Sequence, residues 1–148
     1  MKQTQIPLLF LILALVGVAL PAFAETRPNI LFIVVDDLND WVGHLGGHPQ
    51  ARTPNIDRLA KEGMRFTANY SGNAVCAPSR CVLMTGKHPG HAIVRNNKAM
   101  KPEGQHPIPD SEVTIGELLQ KEGYVTGAFG KWGLGNTWST GNPTKQGF

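Results

Sequence analysis

The chain has 148 residues, with 14 Lys and Arg against 11 Asp and Glu and a net charge of +3. This balance is close to neutral and the chain contains no run of basic residues, which argues against a protein that binds nucleic acid through a basic patch. A chain of this length can form one modest domain.

Residues 1–24 predict a secretory signal peptide. Lys2 supplies a positive charge, residues 6–20 are nearly all apolar, and residues 22–24 (AFA) have the small-x-small pattern of a signal-peptidase site. The apolar run is shorter than the about 20 residues that a membrane-spanning helix needs. We therefore expect cleavage after residue 24, export to the periplasm or beyond the cell, and no stable membrane span afterwards. An uncleaved N-terminal anchor is the alternative.

Three segments have the composition of β-strands. Residues 29–35 (NILFIVV) form a continuous apolar, β-branched run, which predicts a central parallel strand that is buried on both faces. Residues 64–70 and 124–129 predict two further strands. Between these strands lie helical segments, so the elements alternate along the chain.

Three helices are predicted from capping residues at their N-termini and from glycines at their C-terminal ends. Their starts lie at Thr53-Pro54, Pro78 and Thr114, and their ends at Gly63, Gly86 and Gly123. The third start carries a capping box, in which Thr114 is followed three positions later by Glu117. Residues 87–110, rich in Pro, Gly, His and Asn, predict a long structured loop of the kind that carries function.

The order of these elements indicates an α/β fold with a mostly parallel central sheet flanked by helices. In such sheets, ligands bind beyond the carboxyl ends of the strands. Asp36, Asp37 and Lys131 follow predicted strands, and so does the loop that leads to Cys76. We therefore expect these four residues to meet at one edge of the sheet.

Asp36 and Asp37 are adjacent carboxylates that follow a predicted buried strand. Their mutual repulsion is costly unless a cation or a basic group compensates it. Oxygen ligands of this kind suit calcium or magnesium better than zinc. The alternative is structural: one aspartate caps a local turn and the other faces water.

Cys76 lies in the stretch AVCAPSRCVLMTG, residues 74–86, at the start of a predicted helix. A helix N-terminus favours an anion, and Arg80, one turn on, can give a forked pair of donors to a tetrahedral oxyanion. Ser79 adds a hydroxyl, so the segment predicts a nest for sulfate or phosphate with residue 76 aimed at its central atom. A disulfide between Cys76 and Cys81 is the structural alternative, although two cysteines five positions apart on a helix demand awkward geometry.

The spacing in this stretch does not match a tyrosine phosphatase. That family has five residues between its cysteine and its arginine and a histidine before the cysteine, whereas this chain has three residues between them and Val75 before Cys76. A thiolate nucleophile of the phosphatase type is therefore excluded.

Three motifs together resemble the sulfatase family, of the arylsulfatase type within the alkaline-phosphatase-like superfamily. Residues 74–86 resemble the signature C-x-P-S-R followed by a helix and Thr-Gly, and residues 123–132 (GYVTGAFGKW) resemble the second signature. Residues 27–37 (RPNILFIVVDD) are similar to the family's N-terminal strand with its metal-binding aspartates. The resemblance runs from about Arg27 to the end of the chain, with the motifs in order.

The resemblance implies that Cys76 is oxidised to formylglycine (3-oxoalanine). The modifying partner would be a formylglycine-generating enzyme or an anaerobic sulfatase-maturating enzyme, which recognises the cysteine with Pro78 and Arg80. The hydrated aldehyde attacks the sulfur of a sulfate ester with one hydroxyl, and its second hydroxyl then expels sulfate.

The resemblance also implies roles for the neighbouring residues. Asp36 and Asp37 would bind a divalent ion, Ca²⁺ in this family, together with an oxygen of residue 76. Arg80 would hold the diol and help to anchor the metal site, and Lys131 would contact sulfate and stabilise charge in the transition state.

The chain departs from the family at Gly133. Many sulfatases read G-K-W-H-L-G where this chain reads GKWGLG, so the histidine associated with the diol is missing. His91, in the loop after the signature helix, is one candidate for a substitute imidazole. The alternative, which the sequence slightly favours, is that His91 is an ordinary loop histidine.

The resemblance covers only the N-terminal portion of the family's catalytic domain, here residues 25–148. Later metal ligands, a later lysine and a later histidine are absent, so we expect this truncated portion by itself to be inactive or poorly folded. The implied activity is hydrolysis of a sulfated small molecule or a sulfated carbohydrate. Two alternatives stay open: a phosphonate or phosphodiester hydrolase of the same superfamily, and a non-catalytic exported module that binds an anion or a carbohydrate.

Overall fold

The computed structural model describes residues 27–102 and 104–148. The described residues fall into two units, which divide between residues 35 and 36. The predicted signal peptide and its boundary after residue 24 lie outside the described residues. Within the described ranges, the helices are all too short or too polar to cross a membrane.

The second unit contains three α-helices and two short 3-10 helices. The α-helices are α1 (Pro54–Glu62), α2 (Cys76–Thr85) and α3 (Ile115–Lys121), and the 3-10 helices are Gly43–Leu45 and Pro143–Lys145. The three α-helices confirm the helical predictions, whereas the 3-10 helices were not predicted.

The ends of α1 and α2 follow the predicted capping residues, with one difference. Thr53 occupies the N-cap position of α1, but its hydroxyl does not cap the helix. The Thr53 hydroxyl instead accepts from the Gly43 N–H at 2.8 Å and donates to Asp57 at 3.1 Å. Gly86 ends α2 in the left-handed region, with φ 65°, which a glycine adopts without steric cost.

The capping box of α3 forms as predicted. The Thr114 hydroxyl accepts from the Glu117 N–H at 3.3 Å, and the Glu117 carboxylate accepts from the Thr114 N–H at 2.8 Å. The same hydroxyl donates to the carbonyl of Gln146 at 2.6 Å. The start of α3 is thereby tied to the C-terminal segment of the chain.

The three predicted strands do not form within the described residues. Residues 29–35, 64–70 and 124–129 lack regular secondary structure, and the apolar side chains of residues 30–35 are 52% to 85% exposed instead of buried. Composition sets the tendency of a segment to be a strand, but a strand exists only when a neighbouring strand pairs with its N–H and C=O groups. No described segment supplies that pairing, so the parallel sheet of the α/β fold stays a prediction.

The hydrophobic core of the second unit lies under α2. Its buried members are one residue of the helix and four residues of the loops that follow: Cys81, Ala92, Val94, Ile108 and Leu134. The loop segments are joined by backbone pairing, since the Ile108 N–H donates to the Leu134 carbonyl at 2.9 Å. The predicted long loop therefore contributes to the core as well as to the surface.

Trp132 fixes the segment that carries Lys131. Its indole packs against this core and meets Phe148 edge-on, with ring centroids 5.7 Å apart. The indole N–H donates to the carbonyl of Gly141 at 2.7 Å. Lys131, the preceding residue, is therefore presented from an anchored position although its own side chain is exposed.

Candidate functional site

Asp36, Arg80 and Lys131 meet in the second unit although they are far apart in sequence. Arg80 Nη2 donates to Asp36 Oδ2 at 2.9 Å, and Lys131 Nζ donates to the same oxygen at 3.2 Å. Two cations therefore share one carboxylate oxygen. The three side chains differ in exposure: 14% for Arg80, 41% for Asp36 and 64% for Lys131.

The electrostatics of this cluster favour the charged form of both partners. The pKa of the Asp36 carboxyl is lowered, first by the hydrogen bond from Lys131 and then by the one from Arg80. The pKa of Lys131 is raised, chiefly by Asp36 and to a smaller extent by Cys76. Lys131 is therefore a persistent cation that interacts with both the carboxylate and residue 76.

Arg80 has a donor to spare in this arrangement. Its Nη2 is used by Asp36, whereas Nη1 is buried and has no hydrogen-bond partner among the residues that the structure describes. A guanidinium carries its donors in a fixed fork, so the free nitrogen lies beside the one that is paired. The second nitrogen of the Arg80 fork is thus a donor that the described residues leave unpaired.

Cys76 opens α2 at the wall of a pocket of about 200 Å³, which Arg80, Lys131 and Gly133 also line. The Cys76 side chain is half-buried, and both it and Cys81 are free thiols. Cys81 lies in the core, where burial raises the pKa of its thiol. The disulfide alternative is therefore wrong for this structure: the helix directs one cysteine to the pocket and the other to the core.

Asp37 does not join the ion pairs that Asp36 makes. It follows Asp36 in a turn with φ 55°, in the left-handed region, and of the two carboxylates it is Asp36 that forms the ion pairs with Arg80 and Lys131. The two carboxylates supply hard oxygen donors that suit Ca²⁺. Within the described ranges, however, no group of three or more His, Cys, Asp or Glu residues could hold a metal. The donor chemistry therefore fits a divalent cation, but the ligand number falls short.

Gly133, where many sulfatases have histidine, adopts φ 75°. A Cβ atom at this position would lie 3.6 Å from Arg80 Nη1 and 3.9 Å from the Ala77 Cβ, which are ordinary van der Waals distances. Space therefore exists for a side chain beside Arg80, but the left-handed backbone favours glycine. Gly133 therefore forms part of the pocket wall beside Arg80 without contributing a side chain.

His91 does not line the pocket. Its ring lies edge-on to that of His88, with centroids 6.2 Å apart, in agreement with the alternative that treated it as an ordinary loop histidine. His106 lines the pocket instead and is half-buried. Sequence reasoning identified the loop as functional but missed this histidine, because nothing in the spacing of the loop shows which of its imidazoles turns inward.

Asn97 is a second residue that sequence reasoning missed. Its side-chain carbonyl accepts from the Ala77 N–H at 3.0 Å, and it lines the same pocket as Cys76. The predicted nest relied on free N–H groups at the start of this helix. One of these groups is already taken, so the anion-binding capacity of the site rests more on the Arg80 and Lys131 side chains.

Comparison with known proteins agrees with the three motifs. Residues 28–148 match the family model described as Sulfatase. The chain is 44% identical over 114 residues to arylsulfatase A of Bos taurus, an alignment that covers 76% of this chain and 22% of the relative. It is 42% identical over 149 residues to N-acetylgalactosamine-6-sulfatase of Mus musculus, covering 95% of this chain and 28% of the relative.

A third relative gives the same result. The arylsulfatase of Hemicentrotus pulcherrimus is 39% identical over 110 residues, covering 74% of this chain and 20% of the relative. The chain thus spans only between a fifth and just over a quarter of the length of these relatives. The matched region contains Asp36, Cys76, Arg80 and Lys131, and the chain belongs to the sulfatase family.

Proposed function

We propose that the protein of which this chain is part hydrolyses sulfate esters, with Cys76 as the precursor of its nucleophile. One observation carries the proposal: Arg80 and Lys131 converge on Asp36 at a pocket that opens onto residue 76. This juxtaposition occurs in a chain of the sulfatase family, whose relatives are named for sulfate-ester substrates.

The two cations complement a sulfate group. A sulfate monoester carries a negative charge on its peripheral oxygens, and this charge shifts toward the bridging oxygen as the S–O bond breaks. Arg80 lines the pocket and has an unpaired donor, Nη1, that would bind a peripheral oxygen. Lys131, which Asp36 keeps in its protonated form, would supply a second positive charge. Donors fixed before the substrate arrives stabilise such charge without reorganisation.

Residue 76 is proposed to act after oxidation to formylglycine by an exported-protein maturation enzyme. In the hydrated form, one hydroxyl attacks sulfur, the alcohol leaves with a proton, and the second hydroxyl loses its proton and expels sulfate as the aldehyde reforms. The half-buried position of Cys76 at the pocket wall suits this role. Cys81 is buried in the core and therefore cannot act as the nucleophile.

Asp36 and Asp37 would hold a divalent cation, with Ca²⁺ as the ion that their oxygen donors suit best. The ion would supply positive charge beside the sulfate oxygens. Since the described residues contain too few ligands, oxygen donors from other segments of the protein would complete the site. Arg80 and Lys131 contribute positive charge beside Asp36 from the protein itself.

The residues that line the pocket bear on which alcohol the proposed hydrolysis would release from the sulfate ester. Besides Asn97, whose side-chain carbonyl is occupied by the Ala77 N–H, four polar residues of the loop between α2 and α3 line it: Asn96, Lys98, Gln105 and His106. Amide, ammonium and imidazole groups hydrogen-bond to hydroxyls, so the wall suits a sulfated carbohydrate as well as a sulfated small molecule. The proposal also includes export of the protein, with residues 1–24 as a cleaved signal peptide. It further includes an α/β fold for the complete domain.

The test uses the full-length protein from a host that modifies such motifs. Peptide mass spectrometry is expected to show that residue 76 has lost its sulfur, and the protein is expected to turn over an aryl sulfate faster than an aryl phosphate diester. Cys76→Ala should abolish turnover, whereas Cys81→Ala, a matched change in the same helix, should retain it. An unmodified thiol at residue 76 in active protein would overturn the formylglycine proposal, and preference for the phosphate diester would overturn the assigned ester class.

A further inference from the structure

The N-terminus of α2 is capped by a residue that lies twenty positions away. Val75 occupies the N-cap position but provides no side-chain hydrogen bond. Asn97 Oδ1 takes this place by accepting from the Ala77 N–H at 3.0 Å. We infer that Asn97 is a positioning residue for residue 76, an inference that rests on the proposed function.

The physical link runs through one peptide group. The carbonyl carbon of Cys76 and the nitrogen of Ala77 belong to the same planar unit. A hydrogen bond that holds the direction of the Ala77 N–H therefore restricts ψ of residue 76 at the start of the helix, and with it the direction in which its side chain leaves the helix. The result is a side chain held at the wall of the pocket that Arg80 and Lys131 share.

Asn97 can perform this role because its own segment is anchored. Val94, three positions before it, is buried in the core. Arg95 donates to two carbonyls of the preceding turn, from Nε to Ala92 at 3.1 Å and from Nη2 to Gly90 at 2.7 Å. The Asn97 amide thus transmits the position of a packed loop to the first turn of α2.

The contact also determines which groups are left for the sulfate. The Ala77 N–H points to Asn97 and is not available to the substrate. The sulfate group is consequently held by the Arg80 and Lys131 side chains, and Asn97 contributes to the reaction by orienting residue 76. Loss of Asn97 is therefore expected to act on kcat more than on KM.

The first measurement follows hydrogen exchange of the Ala77 amide in the full-length protein. Asn97→Ala is expected to speed its exchange about tenfold, the effect of losing a typical N-cap bond. Asn97→Asp keeps the acceptor and should restore protection. Asn55→Ala, a matched change of an exposed asparagine in α1, should leave the Ala77 amide unchanged. Equal exchange in Asn97→Ala and wild type would overturn the inference.

The second measurement separates positioning from helix capping alone. Asn97→Ala is expected to lower kcat on an aryl sulfate by one to two orders of magnitude with KM changed less than about threefold, as for a displaced reacting group. Asn97→Asp should recover kcat but raise KM, because its charge repels the sulfate. An unchanged kcat in Asn97→Ala would overturn the positioning role. Failure of the proposed function would look different, as a wild type without turnover, and the exchange comparison would still decide whether Asn97 holds the Ala77 amide.

Discussion

Lys131 Nζ donates to Asp36 Oδ2 at 3.2 Å, although the two residues are separated by 95 positions in the chain. Asp36 lies at the start of the second unit, and Lys131 lies beside Trp132, whose indole is packed on the core. Folding therefore assembles the charge cluster from segments that have no local reason to meet. Within this cluster, the pKa of Asp36 is lowered and that of Lys131 is raised.

Replacement of Lys131 by alanine is expected to raise the pKa of the Asp36 carboxyl toward its ordinary value of 3.8, because the Lys131 hydrogen bond is the largest influence that lowers it. In the wild type, Asp36 therefore adds to folding stability above pH 3.8, and this contribution is lost as the pH falls below that value. An NMR titration of the carboxyl in the presence of a chelator measures the shift. Lys121→Ala, which removes a charge at the end of α3, is the control; an equal shift in both variants would contradict the assignment to Lys131.

The buried thiol of Cys81 predicts a loss of stability at alkaline pH. Burial raises its pKa above the ordinary value of 9.0, so the unfolded chain gives up this proton at a lower pH than the folded chain. Below pH 9.0 the thiol therefore does not lower the free energy of unfolding. As the pH rises above 9.0, the free energy of unfolding decreases. Urea unfolding at several pH values should show a steeper decrease for wild type than for Cys81→Ala; parallel curves would refute the effect.

The left-handed backbone at Gly133 predicts that restoring the family histidine destabilises this chain. Gly133→Ala and Gly133→His are each expected to lower the free energy of unfolding by about 1–2 kcal/mol. A residue with a Cβ is disfavoured by this amount in the left-handed region, where Gly133 has φ 75°. A Cβ at this position meets its neighbours at ordinary van der Waals distances, so steric overlap adds little in Gly133→Ala. Gly127→Ala, at a glycine without positive φ, is the matched control. Chemical denaturation measures both, and a neutral Gly133→Ala would show that the backbone relaxes freely.

The hydroxyl of Thr114 has two roles, and its removal should affect both. Thr114→Val removes the cap of α3 and the donor to the Gln146 carbonyl, in a residue that is fully buried. The expected loss is about 2 kcal/mol in the free energy of unfolding. Thr137→Val, at an exposed threonine, should change stability by less than about 0.5 kcal/mol. Similar losses in both variants would mean that the hydroxyl contacts contribute little.

The helices were predictable because their signals are local. The capping box at Thr114, the glycine at position 86 and the proline at position 54 each act on neighbouring backbone groups, and each marks a helix end in the structure. The strands were not predictable in the same way. Residues 124–129 have strand composition, yet Val125 and Phe129 are almost fully exposed and no described segment pairs with them.

In the candidate site, too, the local features were predictable from the sequence and the long-range contacts were not. Cys76, Arg80 and the start of α2 are one turn apart, so their proximity was determined by the sequence alone once a helix was predicted there. The sharing of Asp36 by Arg80 and Lys131, the exclusion of His91 in favour of His106, and the capping of α2 by Asn97 were decided only by the tertiary structure. The reason is physical: helix and cap signals act within a few residues of backbone, whereas these contacts join segments twenty to ninety-five positions apart, whose meeting depends on how the buried side chains pack.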